Sequence, residues 1–328
     1  MYKKFFGLTR CPFEVSPDPY FLLPTHQHRE ALAAIVYGVL QRKGFMVLTG
    51  EAGTGKTLLV RCLLEMLRAR GVASANVFNP TLLPHEFLSY IAGDLGLPKP
   101  GQENKGELLL RLYNYLIARQ RAKQTTVLIA DEAQNMDAAL LEEIRLLTNL
   151  ETSEHKLLQI VLVGQPELDE KMDSPELRQL KQRISVRCNL EALPRVETEE
   201  YIWRRLQKAG TNYDAVHIFP PATVGKIHSY SKGIPRLINT ICENALLNAY
   251  ARQSRTVTEN IIEDVAKDLR LQVTSNSSSA LHPAPFVDSQ SLATSLLALA
   301  SFIERAGYRA PSHPAAPAHT QIERFKVV

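Results

Sequence analysis

Apolar residues recur at helical spacing over residues 26–43. Leu32, Ile35, Val36, Val39 and Leu40 fall on one face, which predicts an amphipathic helix. Residues 45–49 form a short apolar run of strand length, and a second helix over 55–70 stops at Gly71. The alternation continues with a strand at 72–78, a helix at 84–95 and a longer helix at 106–123, which carries Leu109, Leu112, Leu116 and Ile117 on one side. A strand at 126–130, a helix at 138–150 and a strand at 157–163 follow. Two short helical stretches then lead to a fifth strand at 184–190. Strands separated by helices need crossover connections, so the predicted core is α/β, a three-layer parallel sheet covered on both faces.

After Pro194 the strands stop. Residues 196–209, 221–231, 234–251 and 258–271 all read as helices and predict a small all-helical second domain. Residues 1–24 are rich in aromatics and proline and read as an extended strap. From Val273 onward Ser, Pro and Ala dominate, the composition of linker or disorder, with room for one isolated amphipathic helix at 291–306. The predicted organisation is a strap (1–24), an αβα domain (25–194), a helical domain (195–272) and a tail (273–328).

Composition narrows this only a little. At 328 residues the chain can hold two domains, and 45% hydrophobic with 22% charged residues is ordinary for a water-facing globular protein. The net charge of +4 permits contact with nucleic acid or an anionic membrane without arguing for either. Cys11, Cys62, Cys188 and Cys242 are scattered and form no metal-spaced cluster, which reads as reduced thiols. The N-terminus has no continuous apolar stretch of the secretory kind. No window is long enough for a membrane-spanning helix, so the sequence reads as cytoplasmic.

The chemistry is concentrated at Gly50-Glu51-Ala52-Gly53-Thr54-Gly55-Lys56-Thr57, followed by Leu58. This fits G-x-x-x-x-G-K-[ST] and lies between a predicted strand and a predicted helix. Glycines let the backbone curl so that successive amides point at phosphate oxygens, and the new helix adds the positive end of its dipole. Lys56 is expected to bridge the β and γ phosphates of ATP, and the Thr57 hydroxyl to ligate Mg²⁺. A second signal follows at 127–132, an apolar strand ending in two acids. Asp131 would hold Mg²⁺ through water, and Glu132 would orient or deprotonate the attacking water. Gln165, just after the next strand, could sense the γ-phosphate or position the water. Arg183, with Arg178 and Arg187 competing, could reach a neighbouring subunit's nucleotide. Arg236, in Gly233-Ile-Pro-Arg236, could close onto the γ-phosphate from within the chain.

These features, in this order, resemble the AAA+ class of P-loop NTPases. The closer resemblance is to the ATPase domain of the general secretion pathway protein A (ExeA-type) family and the related ATPases of exosortase loci. Tyr2-x-x-Phe-Phe-Gly-Leu8, Pro12-Phe13, Pro17-Asp-Pro19, His28-x-Glu-Ala-Leu32, Asp131-Glu-Ala-Gln134, 158–168 and 233–236 carry it, over roughly residues 1–272. The resemblance implies a sheet in AAA+ strand order, a helical lid, and a homo-oligomeric ring or arc with ATP between subunits. It makes Gln165 a sensor, Arg236 a second sensor on the lid and Arg183 an arginine finger, and it puts His28 beside the adenine. The family also continues into a transmembrane helix and a cell-wall-binding domain, neither of which occurs in this sequence, so attachment to the inner membrane would be peripheral. Two functions compete: an oligomeric ATPase serving secretion or envelope export, and a DNA-associated regulator of the transposition type. The lysines and arginines appear scattered along the chain, which favours the first.

Overall fold

The computed structural model describes residues 1–14, 19–21, 25–78, 81–98, 104–211 and 215–272. The tail at 273–328, with its expected helix at 291–306, lies outside the described residues. In chain order, α1 (Tyr2–Phe5) and α2 (His26–Leu40) precede β1 (Phe45–Gly50) and α3 (Lys56–Arg68). Then come β2 (Ala73–Val77), α4 (Pro84–Asp94), α5 (Lys105–Arg121), β3 (Thr126–Ala130) and α6 (Ala138–Leu147). β4 (Leu158–Gly164), α7 (Pro166–Met172), α8 (Arg178–Lys181) and β5 (Ile184–Leu190) complete the sheet half. After them run α9 (Arg195–Lys208), α10 (Ala215–Ile218), α11 (Pro221–Ser231), α12 (Pro235–Ala251) and α13 (Glu259–Asp268).

The five strands are parallel and ordered β2-β3-β4-β1-β5. Every residue of β1, β3 and β4 is buried, as their unbroken apolar runs require. Side chains alternate between the two faces with the strand period. Along β1, Phe45 and Val47 join Phe87, Leu112 and Ile144 from α4–α6 on one side. Met46 and Leu48 join Ile35, Val39 and Leu63 from α2 and α3 on the other. Because β1 sits between β4 and β5, the chain reverses its winding there, and the carboxyl ends of β1, β3 and β4 open toward one crevice.

Helix starts follow local chemistry. Asn104 and Glu107 exchange the two hydrogen bonds of a capping box at α5, and Asp137 accepts the Leu140 amide at α6. Helix ends were less legible. α6 stops at Leu147 instead of running to 150, because the Thr148 hydroxyl turns back onto the Arg145 carbonyl at 2.6 Å. α13 likewise stops at Asp268, and Arg270 then adopts a left-handed φ of 55°.

α9–α13 pack into one helical bundle with its own apolar centre. The N-terminal residues belong to that centre and not to the sheet. Tyr2, Phe6, Leu8, Phe13 and Phe21 are buried among Leu206, Phe219 and Ile241. The stretch opens with one helical turn instead of fully extended chain, since Tyr2 and Phe6, four residues apart, turn the same way into the bundle. The Thr9 amide donates to Ala209 O at 2.8 Å and the Tyr2 hydroxyl to Glu243 at 2.7 Å, which fixes the strap along α9 and α12.

Candidate functional site

The glycine-rich loop leaves β1 at Gly50 and ends where α3 begins. Gly53 and Gly55 have φ of 87° and 104°, left-handed values that side-chain-bearing residues rarely adopt. They also make room. A Cβ on Gly53 would lie 2.7 Å from Arg236 Cβ, and one on Gly55 3.0 Å from His28 Nε2. Between them Thr54 is fully buried, with its hydroxyl and amide both donating to Glu51 O. Glu51 and Ala52 form the exposed crest of the loop, and Leu58 is half-buried in the first turn of α3.

Lys56 is buried, and its ammonium donates to the carbonyls of Gly50 at 2.6 Å and Glu51 at 3.0 Å. Burial pushes its pKa below the ordinary lysine value, while Glu132, Asp131 and Glu51 pull it back up. Asp131 stands one residue beyond β3, its amide bonded to Val77 O, and is 5% exposed. It accepts the Thr57 hydroxyl at 3.4 Å and the Glu132 amide at 2.9 Å. Burial raises the Asp131 pKa; the Glu132 amide bond, Lys56 and Thr57 oppose the rise. Glu132 takes a left-handed φ of 53°, which turns its carboxylate out of the strand line toward β4. There it accepts Gln134 Nε2 at 2.6 Å and Gln165 Nε2 at 3.4 Å.

The remaining candidates divide. His28 is held from both sides, by the Thr25 hydroxyl on Nδ1 at 2.7 Å and by Thr54 O on Nε2 at 3.0 Å. A carbonyl only accepts, so Nε2 carries the proton, and the ring shapes the loop with both nitrogens occupied. Arg236 opens α12, and its amide donates to Gly53 O at 3.2 Å, so the helical bundle touches the loop directly. Arg183 does not reach the chain's own loop. It precedes β5 at the strand-entry end, where Ile184 pairs with Phe45, and β1 separates it from Gly50. Its guanidinium bonds Thr148 and Asn149 just past α6. Arg187 pairs with Asp169 at 2.7 Å, and Arg178 lines an open cavity with Met172, Asp173, Pro175, Lys181 and Gln182. The Gln134 bridge was missed from sequence, although the glutamine is visible three residues after Asp131.

The donor set fits a nucleoside triphosphate with a divalent cation. A half-buried hydroxyl and a buried carboxylate face each other, one buried ammonium bonds only loop carbonyls, and glycines keep the cradle free of Cβ atoms. Among the described residues no group of three or more His, Cys, Asp and Glu could hold a metal by itself.

Residues 39–172 match the AAA domain family. With a five-strand parallel sheet in this order and this loop, the chain belongs to the AAA+ P-loop ATPases, a nucleotide-binding class. It is 42% identical over 269 residues to General secretion pathway protein A of Aeromonas hydrophila. That match takes in 82% of this chain and 48% of the relative, so the chain spans about half the relative's length. Among solved structures it is similar to the Aeropyrum pernix ORC2 protein in its ADPNP-ADP complexes, with a TM-score of 0.57 and 20% identity. That likeness covers 79% of this chain and 71% of the other. It is also similar to Drosophila ORC bound to DNA, with a TM-score of 0.59, 17% identity and coverage of 92% and 78%. At such identities these two share the fold alone.

Proposed function

We propose that the chain binds ATP with Mg²⁺ and hydrolyses it, and that it does so as the nucleotide-driven part of a homo-oligomer serving secretion or envelope export. The convergence of Lys56, Thr57, Asp131 and Glu132 at the carboxyl ends of β1 and β3 carries this reading. On phosphate binding the Lys56 ammonium exchanges loop carbonyls for β and γ phosphate oxygens. Thr57 and Asp131 hold Mg²⁺, which supplies charge neutralisation there. Glu132 takes the proton of the attacking water, and Gln165 reports the γ-phosphate to it. Residues 25–194 then act as the nucleotide domain and 195–272 as a lid, with Arg236 at the lid's point of contact. Arg183 serves a neighbouring subunit, since its place by the start of β5 keeps it from its own. The secretion role comes from the kinship with General secretion pathway protein A and extends over only the shared half. No helix among the described residues is long and apolar enough to cross a membrane, which suits peripheral attachment at the cytoplasmic side.

The decisive measurement is ATP turnover by Glu132→Gln. Loss of about 100-fold or more in kcat with ATP binding retained is expected; unchanged turnover would leave only nucleotide binding. A DNA-associated role has one observation in its favour. The fold gathers Arg42, Lys43, Arg68, Arg70, Arg121 and Lys123, scattered in sequence, at the strand-entry end of the sheet. Arg42 there bonds Gln124 O, and Arg119 bonds Gly71 O. Cations also suit helix C-termini, so this edge is explained without a ligand. Turnover stimulated several-fold by double-stranded DNA, and weakened by salt, would favour the second role.

A further inference from the structure

The turn after β3 and the turn after β4 are tied together by one side chain that the hydrolytic reading does not use. Gln134 lies in the 3₁₀ turn Ala133–Asn135. Its Oε1 accepts the backbone amide of Gln165 at 3.0 Å, and its Nε2 donates to Glu132 Oε2 at 2.6 Å. The orientation of the amide is settled by chemistry, because a backbone N–H can only donate and a carboxylate can only accept. The turn itself is pinned from α7, where the Lys171 ammonium donates to the carbonyls of Gln134 and Met136, each at 2.7 Å. Gly164 leaves space for the bridge, since a Cβ there would sit 3.0 Å from Gln134 Oε1 and 2.7 Å from a methyl of Leu168.

We infer that Gln134 is a positioning residue for hydrolysis, which holds the Glu132 carboxylate by one oxygen and fixes it in register with Gln165. The inference rests on the hydrolytic reading of Glu132. The geometry explains why the carboxylate needs a holder. Glu132 takes a left-handed backbone conformation where the strand gives way to the 3₁₀ turn Ala133–Asn135, so its side chain is not oriented by the pleat of the sheet. Its second donor, Gln165 Nε2, is distant at 3.4 Å. Both bonds fall on Oε2, and among the described residues Oε1 makes none, which leaves Oε1 as the oxygen to take the proton of the attacking water while Gln134 fixes the other. Because the same amide also fixes the Gln165 backbone, the proton acceptor and the phosphate-facing glutamine keep one spacing.

Three variants test this in the full chain: Gln134→Glu, which keeps an acceptor for the Gln165 amide but opposes Glu132 with a like charge, Gln134→Met, which keeps the volume and neither hydrogen bond, and Glu132→Gln as the reference. The expected result is a kcat for ATP lowered about 10-fold or more in both Gln134 variants. KM and the affinity for a fluorescent ATP analogue should stay within about 3-fold of wild type, the split expected when only a transition-state interaction is lost. Gln134 is half-buried, and thermal melting of each variant checks the fold. If Gln134→Glu does not fold, Gln134→Met is read alone. The double variant Glu132→Gln with Gln134→Met should lose clearly less than the product of the two single losses, since the bond to Glu132 is one of the two through which the glutamine acts. If Glu132→Gln is inactive while the folded Gln134 variants keep wild-type kcat, the inference is wrong and the hydrolytic reading survives. If Glu132→Gln turns over normally, the hydrolytic reading itself has failed. Loss of affinity and melting temperature in step with kcat would make the glutamine a structural brace and overturn its positioning role.

Discussion

Arg205→Ala should loosen the N-terminal strap from the helical bundle. Arg205 is 5% exposed, and no carboxylate among the described residues pairs with it. Its Nε donates to Pro12 O at 2.6 Å and its Nη1 to the Tyr201 hydroxyl at 2.8 Å. The guanidinium lies 4.8 Å from the Phe21 ring, 5.2 Å from Tyr201 and 6.0 Å from Phe13. Hydrogen bonds from a charged donor contribute about 1.5–3 kcal/mol each, and a desolvated cation over a ring about 2 kcal/mol. Against these stands the cost of burying a charge, several kcal/mol. A guanidinium is weakly hydrated and stacks on rings, so that cost falls at the low end here. Truncation also leaves the Pro12 carbonyl without its donor. A net loss of about 2–4 kcal/mol follows, and Arg205→Met, which keeps the apolar stem, should lose about half as much. The chain's single tryptophan, Trp203, is on α9 with Nε1 bonded to Phe219 O, so its fluorescence during urea unfolding follows the helical bundle. Hydrogen exchange at Thr9 and Arg10, whose amides both donate to Ala209 O, follows the strap. A transition displaced by less than about 0.5 kcal/mol, with both amides still protected, would refute the clasp.

Two further outcomes bear on the loop. Gly53→Ala should weaken nucleotide binding about 10-fold, measured by titration with a fluorescent analogue, because its Cβ would push Arg236 and the start of α12 off the loop. Gly71→Ala is the control: its φ is 71° but nothing lies within 4 Å, so it should cost stability and leave affinity unchanged. His28 is held neutral by burial, with its pKa below the ordinary 6.5 and the Thr54 carbonyl partly opposing that. A depressed folded value means that the unfolded chain binds the proton more readily, so stability is whole above pH 6.5 and declines as the pH falls below it. His228 is depressed too and contributes a slope of the same sign. Urea unfolding from pH 7.5 to 5 should therefore be less pH-dependent in His28→Gln than in wild type; equal slopes would put the effect elsewhere.

The strands and most helices were legible because their apolar periodicity is strong, and β3, β5 and α11 fall where the sequence places them. Lys56, Thr57, Asp131 and Glu132 were legible because spacing and strand context coincide. What escaped was whatever depends on partners distant in the chain. The aromatic strap reads equally well as packing against any apolar face, and only the fold shows that Phe13 meets Phe219. The resemblance puts His28 beside the adenine, and only the fold shows that Thr25 and Thr54 occupy both its ring nitrogens. Cations that follow no pattern in sequence gather at one end because a parallel sheet brings all strand entries to the same edge.

These long-range contacts share a consequence for the loop. It is braced by His28 from α2 on one side and by the Arg236 amide from α12 on the other, with Lys56 folded back on its own carbonyls. The strap that leads to α2 is packed into the same bundle that contains α12. Any rotation of that bundle against the sheet therefore acts on the loop at Gly53 directly, through the Arg236 amide. Gly53 and Gly55 are the two residues whose left-handed backbone and missing Cβ permit those approaches. A side chain at Gly53 would set the bundle against the loop, and one at Gly55 would set α2 against it, before any phosphate arrived.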